Sequence, residues 1–483
     1  MTRSVGHCRM VGHIEGQSRD QATLFPERLE ELIAAAAAVR VVDAFVDTLE
    51  LAKLGFGKTM PQRTGRPPYA PSDLLKLYVW GYLNQVRSSR MLERECRRNI
   101  ELLWLLNRLA PDFKTIADFR RDNREAIRRV CRAFVQFCKG QDLFGAELVA
   151  VDGSKFAGQN SPKRVWTQGQ LEKKAAALDK KIEEYLAKLD AADTQESAAE
   201  PSAADIAAML ERLRAEKAEI EQSVLLMQGM AMGQVALTDP DVRLMRGAHG
   251  VVVGYNVQVA VDARHGLIAH HAVTQDSTDQ NQLAPMALAA KEVLEAERLE
   301  AVADAGYGDA DQVKACDEAE VTTFVPHPRS VNPHGALFDK SVFAYDAATD
   351  SYRCPAGKTL PFRRVGKDEA REYRAARKDC CGCPLKPRCT KSARRTVSRH
   401  RHEATLEALA ERTRARPELM AKRRCLAEHP FGIIKAMAPR FLCRGLPAVA
   451  AEMALSVIAF NLKRAMALLG IPELLRRLHA APA

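Results

Sequence analysis

"ELVAVDGSKF", Glu147 to Phe156, is the stretch where the chain changes period. Upstream, apolar residues recur at helical spacing. Here a short β-branched run ends on Asp-Gly, which predicts a buried strand stopping at a turn. Downstream, "GYNVQVAVD" (254–262) alternates Tyr255, Val257, Val259 and Val261 against Asn256, Gln258, Ala260 and Asp262. Residues 262–266 read as a hairpin connection, and "LIAHHAVT" (267–274) as the returning strand. A helix over 281–297, a strand within "LEAVADAGYGD" (299–309), a helix at 311–318 and the strand "VTTFVPH" (321–327) follow. Three early strands and then a βαβ alternation imply a mixed α/β sheet with helices on its faces.

Between the first two strands lie two heptad-patterned segments. Leu171, Ala175, Leu178, Ile182, Tyr185 and Leu189 are spaced 4-3-4-3-4. Ile206, Leu210, Leu213, Ile220, Val224 and Met227 fit the same frame, with Lys217 breaking it. This predicts an inserted antiparallel helical hairpin, or a dimerisation surface, joined by the turn-like stretch at 190–205. Before Glu147, Pro71-Ser72-Asp73 and Pro111-Asp112 open amphipathic helices studded with arginine, a helical domain with a basic exterior. The expected division is 1–60 (polar tail and amphipathic helix), 61–145 (all-α domain), 146–330 (sheet, with the hairpin at 165–230), 331–400 (Cys-rich basic insertion) and 401–483 (C-terminal helices, the stretch from Leu446 to Leu469 buried).

Charge is unevenly spread. Residues 61–130 hold 15 Lys+Arg against 8 Asp+Glu, net +7, and residues 371–424 hold 17 against 6, net +11. The whole chain is +11, so the remainder is −7 (11 − 18). Two concentrated basic segments fit two surfaces facing a polyanion, nucleic acid above all. No stretch reads as a bilayer span, and the alanine run at Ala34–Ala38 lacks a signal-peptide pattern. Twelve cysteines scattered over 483 residues do not form a secreted disulfide framework, which favours a reducing cytoplasm.

Two acids stand at predicted strand ends, Asp152 and Asp304. Carboxylates there are rigidly aimed and suit a hard divalent cation, although strand-to-turn aspartates are common. A third, Glu428, sits in "RRCLAEHPFGIIKAM" (423–437) beside Arg423, Arg424 and Lys435, just before a proline that predicts a kink or a fresh helix start. Asp239, Asp241, Asp262, Asp276 and Asp279 compete as cleft-lining acids. Asp239 and Asp262 read better as turn residues, and Asp279 as part of a helix cap. His270 and His271, adjacent on one strand, face opposite ways. In the insertion, Cys380 and Cys383 have chelate spacing, with Cys354 before and Cys389 after. Four thiolates suit a closed structural Zn²⁺ site in a loop-rich segment with little core, with Cys381 a spare. The alternative is reduced, unliganded cysteines.

The ordered set "GRPPYAPSDLLKLYVWGYLNQVRSSRMLERECRRNIELLWLL", "TIADFRRDN", "VDGSKF", "GYNVQVAVD", "VADAGYGD" and "EHPFGIIK" resembles bacterial insertion-sequence DDE transposases from about Thr64 onward. The resemblance implies an RNase H-like core in which Asp152, Asp304 and Glu428 hold two Mg²⁺ (or Mn²⁺) ions. It also implies that Arg424 and Lys435 contact phosphates. Of that family's Tyr-x2-Arg-x3-Glu-x6-Lys signature, Arg424, Glu428 and Lys435 match, while Ala421 stands at the tyrosine position. A Cys-bearing insertion also belongs to the resemblance. The implied activity is cleavage and strand transfer of double-stranded DNA at terminal inverted repeats and targets, by a homodimer acting at the nucleoid without a membrane. The other readings are an inactive repressor or domesticated transposase, or a structure-selective nuclease on the same core.

Overall fold

The computed structural model describes residues 28–60, 67–161, 165–194, 203–229, 234–236, 238–247, 250–326, 337–366 and 369–480. The polar start, residues 61–66, half of the expected turn between the heptad segments and the first residues of the insertion lie outside these. The N-terminal part is helical: α1 (Ala38–Asp47), α2 (Pro71–Leu83), α3 (Ser89–Cys96), α4 (Ile100–Leu105), α5 (Phe113–Asp122) and α6 (Arg124–Gly140). Pro71 starts α2, where a missing amide hydrogen costs nothing. Asp112 caps α5, accepting from the Lys114 and Thr115 amides. Almost all of α2 is buried, and its Lys76 is neutralised by Asp43 at 2.6 Å and Asp47 at 2.7 Å. The expected basic exterior is only partial. Arg97, Arg98, Arg121 and Arg128 pair with acids on their own helices or next to them, and Arg120 turns inward over the Tyr78 ring.

The central sheet is built on β1 (Leu148–Ala157). After β1 the chain forms β2 (Val165–Thr167), the helices α7 (Gln168–Thr194) and α8 (Ala203–Gly229), and β3 (Gln234–Ala236). Strands β2 and β3 pair antiparallel and clamp the base of this hairpin. Leu171, Leu178, Leu213, Ile220 and Met227 fill its seam, as the heptads imply, while the side chain of Leu189 is not among those described. Lys217, the frame-breaker, meets Asp179 across the seam at 2.5 Å. The chain then returns through β4 (Arg243–Gly247), β5 (Gly250–Asp262) and β6 (Ile268–Thr274), and continues with α9 (Leu283–Leu294), β7 (Leu299–Val302), α10 (Ala310–Glu318) and β8 (Val321–Phe324). Strand order is β4-β5-β1-β7-β8, with β6 also on β5; β1, β7 and β8 are parallel, and β5 is antiparallel to β1. This is an RNase H-like mixed sheet.

The Cys-bearing region departs from expectation. Instead of loops, it forms a five-stranded antiparallel meander: β9 (Ala344–Asp346), β10 (Ser351–Arg353), β11 (Thr359–Val365), β12 (Arg371–Arg374) and β13 (Thr396–Arg399). The short helices α11 (Arg377–Cys381) and α12 (Lys386–Cys389) sit between the last two strands. Phe343, Tyr352, Leu360, Tyr373 and Val397 give it an aromatic core of its own. Its short strands, crowded with arginine, hid the alternation.

Four C-terminal helices complete the fold: α13 (Glu403–Ala415), α14 (Glu418–Met437), α15 (Leu446–Leu469) and α16 (Ile471–Ala480). Both sheet edges are covered, which removes a pairing hazard. At the β8 edge, Arg412 donates to the Thr323 carbonyl and Thr413 to that of Val325. At the β6 edge, the Asn461 side chain satisfies both the amide and the carbonyl of Ile268, each at 2.9 Å. Contrary to the sequence reading, α15 has the length and hydropathy of a bilayer span; 78% of its apolar window is buried inside the protein. Asp239 and Asp241, candidates for the cleft, instead anchor the start of α15, accepting from the Gly445 and Leu446 amides. Asp262 serves its turn, accepting from the Gly145, Ala146 and Arg264 amides.

Glu452 ties this assembly together. Fully buried in α15, it accepts from the Leu442 and Cys443 amides at 2.8–3.0 Å and from Arg87 at 3.1 Å. Glu452→Ala strands the half-buried Arg87 and two amides, and is expected to destabilise by about 3–5 kcal/mol. Glu452→Gln, which keeps one acceptor, should fall between it and the parent. Urea denaturation measures this, and a Glu452→Ala midpoint equal to the parent's would refute the role.

Candidate active site

The register of β1 sets the site. Ala150 pairs with Val302 on β7, so two residues further along each strand Asp152 and Asp304 come level on the same face. Asp304 is still extended, with φ −83° and ψ 176°, and its Oδ1 accepts from the Gly306 amide at 2.8 Å. Asp152 Oδ1 accepts from the Gly153 amide at 2.9 Å, while Oδ2 faces Arg423 Nη1 at 3.4 Å. Burial pushes the Asp152 carboxyl up to about 6; Arg423 opposes this, and the charges of Asp304 and Asp279 add to it. Arg423 Nη1 is itself buried and has no hydrogen-bond partner.

Helix α14 crosses the face that carries Asp152. Ala427 packs with Leu148, Ala150 and Val302, and Phe431 against Phe156 at 6.2 Å between ring centroids. Arg424, Glu428, Phe431 and Lys435, spaced i, i+4, i+7 and i+11, share one flank of the helix. Two of the four touch β1: Phe431 through Phe156, and Lys435 through its 2.6 Å bond to Ser154 Oγ. Burial holds the Lys435 ammonium below its ordinary range, with the Asp152 charge opposing. Glu428 and Arg424 lie on the exposed part of that flank. The structure thus brings Asp152 and Asp304 together but records no contact from Glu428 to either. Among the described residues no group of three or more His, Cys, Asp or Glu is gathered as a metal-ligand set.

The fresh helix start expected as one alternative at Pro430 is corrected, because α14 runs through it as one 20-residue helix with Pro430 buried. Proline removes one intrahelical bond, to the Leu426 carbonyl, but packing of both halves against the sheet carries the helix across. The cation nearest Asp152 is Arg423, not Arg424. Both lie in the quoted motif, and only the helix's rotation selects between them. Asp279 is a further surprise. Its Oδ1 accepts from Lys155 at 3.0 Å, Asn256 at 2.7 Å and Gln258 at 2.8 Å, so it belongs to the sheet rather than to a helix cap. His270 and His271 are half-buried, their imidazoles pushed down by desolvation to about 4 and 3.

The four cysteines share one small cavity without being gathered as a metal-ligand set. Cys354, Cys380, Cys383 and Cys389 line one cavity of about 20 Å³, closed by Leu360, Ala375 and Arg395. The Lys358 amide points at Cys354 Sγ from 3.4 Å. Burial raises the Cys389 thiol, and the other three sulfurs push the same way. Cys381 is exposed and does not line the cavity.

Asp152 and Asp304, under-compensated by one poorly aligned arginine, offer the hard oxygen donors a divalent cation takes, and the four thiols around the small cavity are of the donor type zinc takes. The strand order and directions of the central sheet define an RNase H-like class of fold. Within it, residues 27–122 match the Transposase domain (DUF772) family, and residues 353–466 match the Transposase DDE domain family. Both matches are to transposase domains, and together they support a DDE transposase family. No curated relative matches it in sequence. A piggyBac transposase synaptic complex with hairpin DNA, solved by cryo-EM, is similar at 10% identity and a TM-score of 0.32, over 92% of this chain and 79% of that one.

The raised Asp152 carboxyl makes a stability prediction. Below 3.8 both folded and unfolded chains hold the proton; as pH rises from there to about 6 the unfolded chain ionises first, so stability falls, and above 6 the full penalty is present. The gap from 3.8 to about 6 corresponds to about 3 kcal/mol. Asp152→Asn should therefore raise the melting temperature at pH 7.5 and raise it much less at pH 4.5. An equal or negative shift at pH 7.5 would refute the burial penalty.

Proposed function

We propose that this DDE transposase is that of a bacterial insertion sequence, cutting and joining DNA with two divalent metal ions held by Asp152, Asp304 and Glu428. The observation that carries the reading is the level placement of Asp152 and Asp304 at the ends of adjacent parallel strands, beneath a basic helix. Glu428 completes the set from the flank of α14 that also carries Lys435. Bound there, divalent ions such as Mg²⁺ or Mn²⁺ would activate the attacking oxygen and offset charge on the leaving one. The protein's part is to orient them: Gly153 holds one Asp152 oxygen, and Arg423 balances the other until a cation arrives. Lys435, fixed on Ser154, and Arg424, exposed at the start of the same flank, would bind scissile-strand phosphates as point charge and planar fork.

Terminal inverted repeats would be held by the N-terminal helices, through exposed cations such as Arg90, Arg94 and Lys114. The meander adds Lys358, Arg377, Lys378, Lys391 and Arg394 around the cysteine cavity. Two ends must meet, which calls for a dimer on DNA.

Labelled element ends with Mg²⁺ test this. Asp152→Ala, Asp304→Ala and Glu428→Ala should each reduce cleavage and joining by about 10³-fold, the equivalent of about 4 kcal/mol, with end binding retained. Binding without cleavage by the parent protein would make it a repressor or domesticated factor, and cleavage without joining a nuclease. Joining that survives all three substitutions would overturn the site. Zinc is tested separately: the purified chain should carry about one Zn²⁺, lost in Cys380→Ser and Cys383→Ser and kept in Cys381→Ser. Elemental analysis decides it, and a zinc-free parent that takes up none on titration would remove the metal from the meander.

A further inference from the structure

The face of the sheet opposite the paired aspartates carries a polar layer that the proposed chemistry leaves unused. Gly153 and Gln258 are cross-strand partners, as are Lys155 and Asn256, so their side chains share the face turned away from α14. There Gln258 makes three hydrogen bonds. Its amide nitrogen donates to Asp279 Oδ1 at 2.8 Å and to Asn256 Oδ1 at 3.0 Å, and its oxygen accepts from the Tyr307 hydroxyl at 2.5 Å. All three side chains lie in the interior beside β-strand backbone: Gln258, Asn256 and Tyr307 are each fully buried. A polar network in such a place specifies geometry, because each unmade bond would leave a buried group unpaired.

Each end of this layer reaches one of the aspartates. At one end, Asp279 and Gln258 press on the Gly153 backbone so closely that a Cβ there would lie 2.7 Å from Asp279 Oδ1 and 2.2 Å from Gln258 Nε2. That explains the glycine: the Gly153 amide is the one that holds Asp152 Oδ1. At the other end, Tyr307 closes the turn after Asp304, its amide donating to the Asp304 carbonyl at 3.2 Å. We propose that Asp279, Gln258 and Tyr307 form a brace across the back of the sheet that sets the spacing of Asp152 and Asp304 for metal binding. They are positioning residues, acting through the Gly153 amide and the Asp304 turn. The inference rests on the reading of those two aspartates as metal ligands.

Calorimetric titration of Mn²⁺ into the full chain without DNA tests it. Tyr307→Phe keeps the buried ring and removes only the hydroxyl. Gln258→Glu removes the donor to Asp279 and sets two carboxylates against each other. Each should weaken Mn²⁺ binding by about 10–100-fold, the usual effect of losing an outer partner of a metal ligand. Adding Asp279→Asn to Gln258→Glu restores the bond with donor and acceptor exchanged, and should recover affinity to within roughly threefold of the parent. A purely structural role would lower melting temperature without this loss and rescue. Parent-like affinity in Tyr307→Phe, or a double substitution no better than Gln258→Glu, overturns the brace while Asp152→Ala and Asp304→Ala still abolish binding. A parent protein that binds no Mn²⁺, or binds it equally after those two alanine substitutions, overturns the ligand assignment and the brace with it.

Discussion

The pairing of β1 with β5 on one side and β7 on the other is the constraint on which the rest depends. Strand β1 is the innermost strand of the sheet, and its first four residues are buried on both faces. Burial fixes its register, since a slip of one residue would exchange the two faces. With Ala150 opposite Val302, the two aspartates must fall side by side; with Gly153 opposite Gln258, the polar layer must fall behind them. A front face that carries charge and a back face that holds it still are consequences of one alternation.

That alternation has an energetic cost. Asp152 is a carboxylate placed where its charge is poorly solvated, beside a second acid and an arginine that does not align with it. A core selected for stability would not hold this arrangement. Local arrangements that cost stability cluster at functional sites, and here the surrounding sheet, α14 and α15 are apolar enough to hold it in place. The C-terminal helices matter to the site for the same reason. They cover both sheet edges and carry α14 across the open face, so segments far apart in sequence compose one surface.

Much of this was legible in the chain. The period-2 run at Tyr255–Val261, the heptads of the hairpin, and Asp-Gly after a β-branched run are local signals, and the structure has strands and helices where they point. The meander was not legible, because its strands are three to seven residues long and charged on both faces. Nor was the part played by Asp239 and Asp241, whose partners at Gly445 and Leu446 lie about two hundred residues away. Asp279 looked like a helix-capping residue, since its three donors come from strands that precede it by more than twenty residues.

By itself the sequence determined the strands β1, β5, β6, β7 and β8, the helical hairpin and the helices around them, and it marked out three acids and four cysteines of the residue types that metals take. These follow from side-chain period and residue chemistry, which are local. Tertiary structure alone decided which acids meet. It placed Asp304 beside Asp152 through a parallel register, chose Arg423 over Arg424 through the rotation of α14, and left Glu428 on an exposed flank. It also drew Cys354 to Cys380, Cys383 and Cys389 and left Cys381 outside. Register and helix rotation are set by the packing of whole faces against one another, and no short stretch of sequence contains both faces.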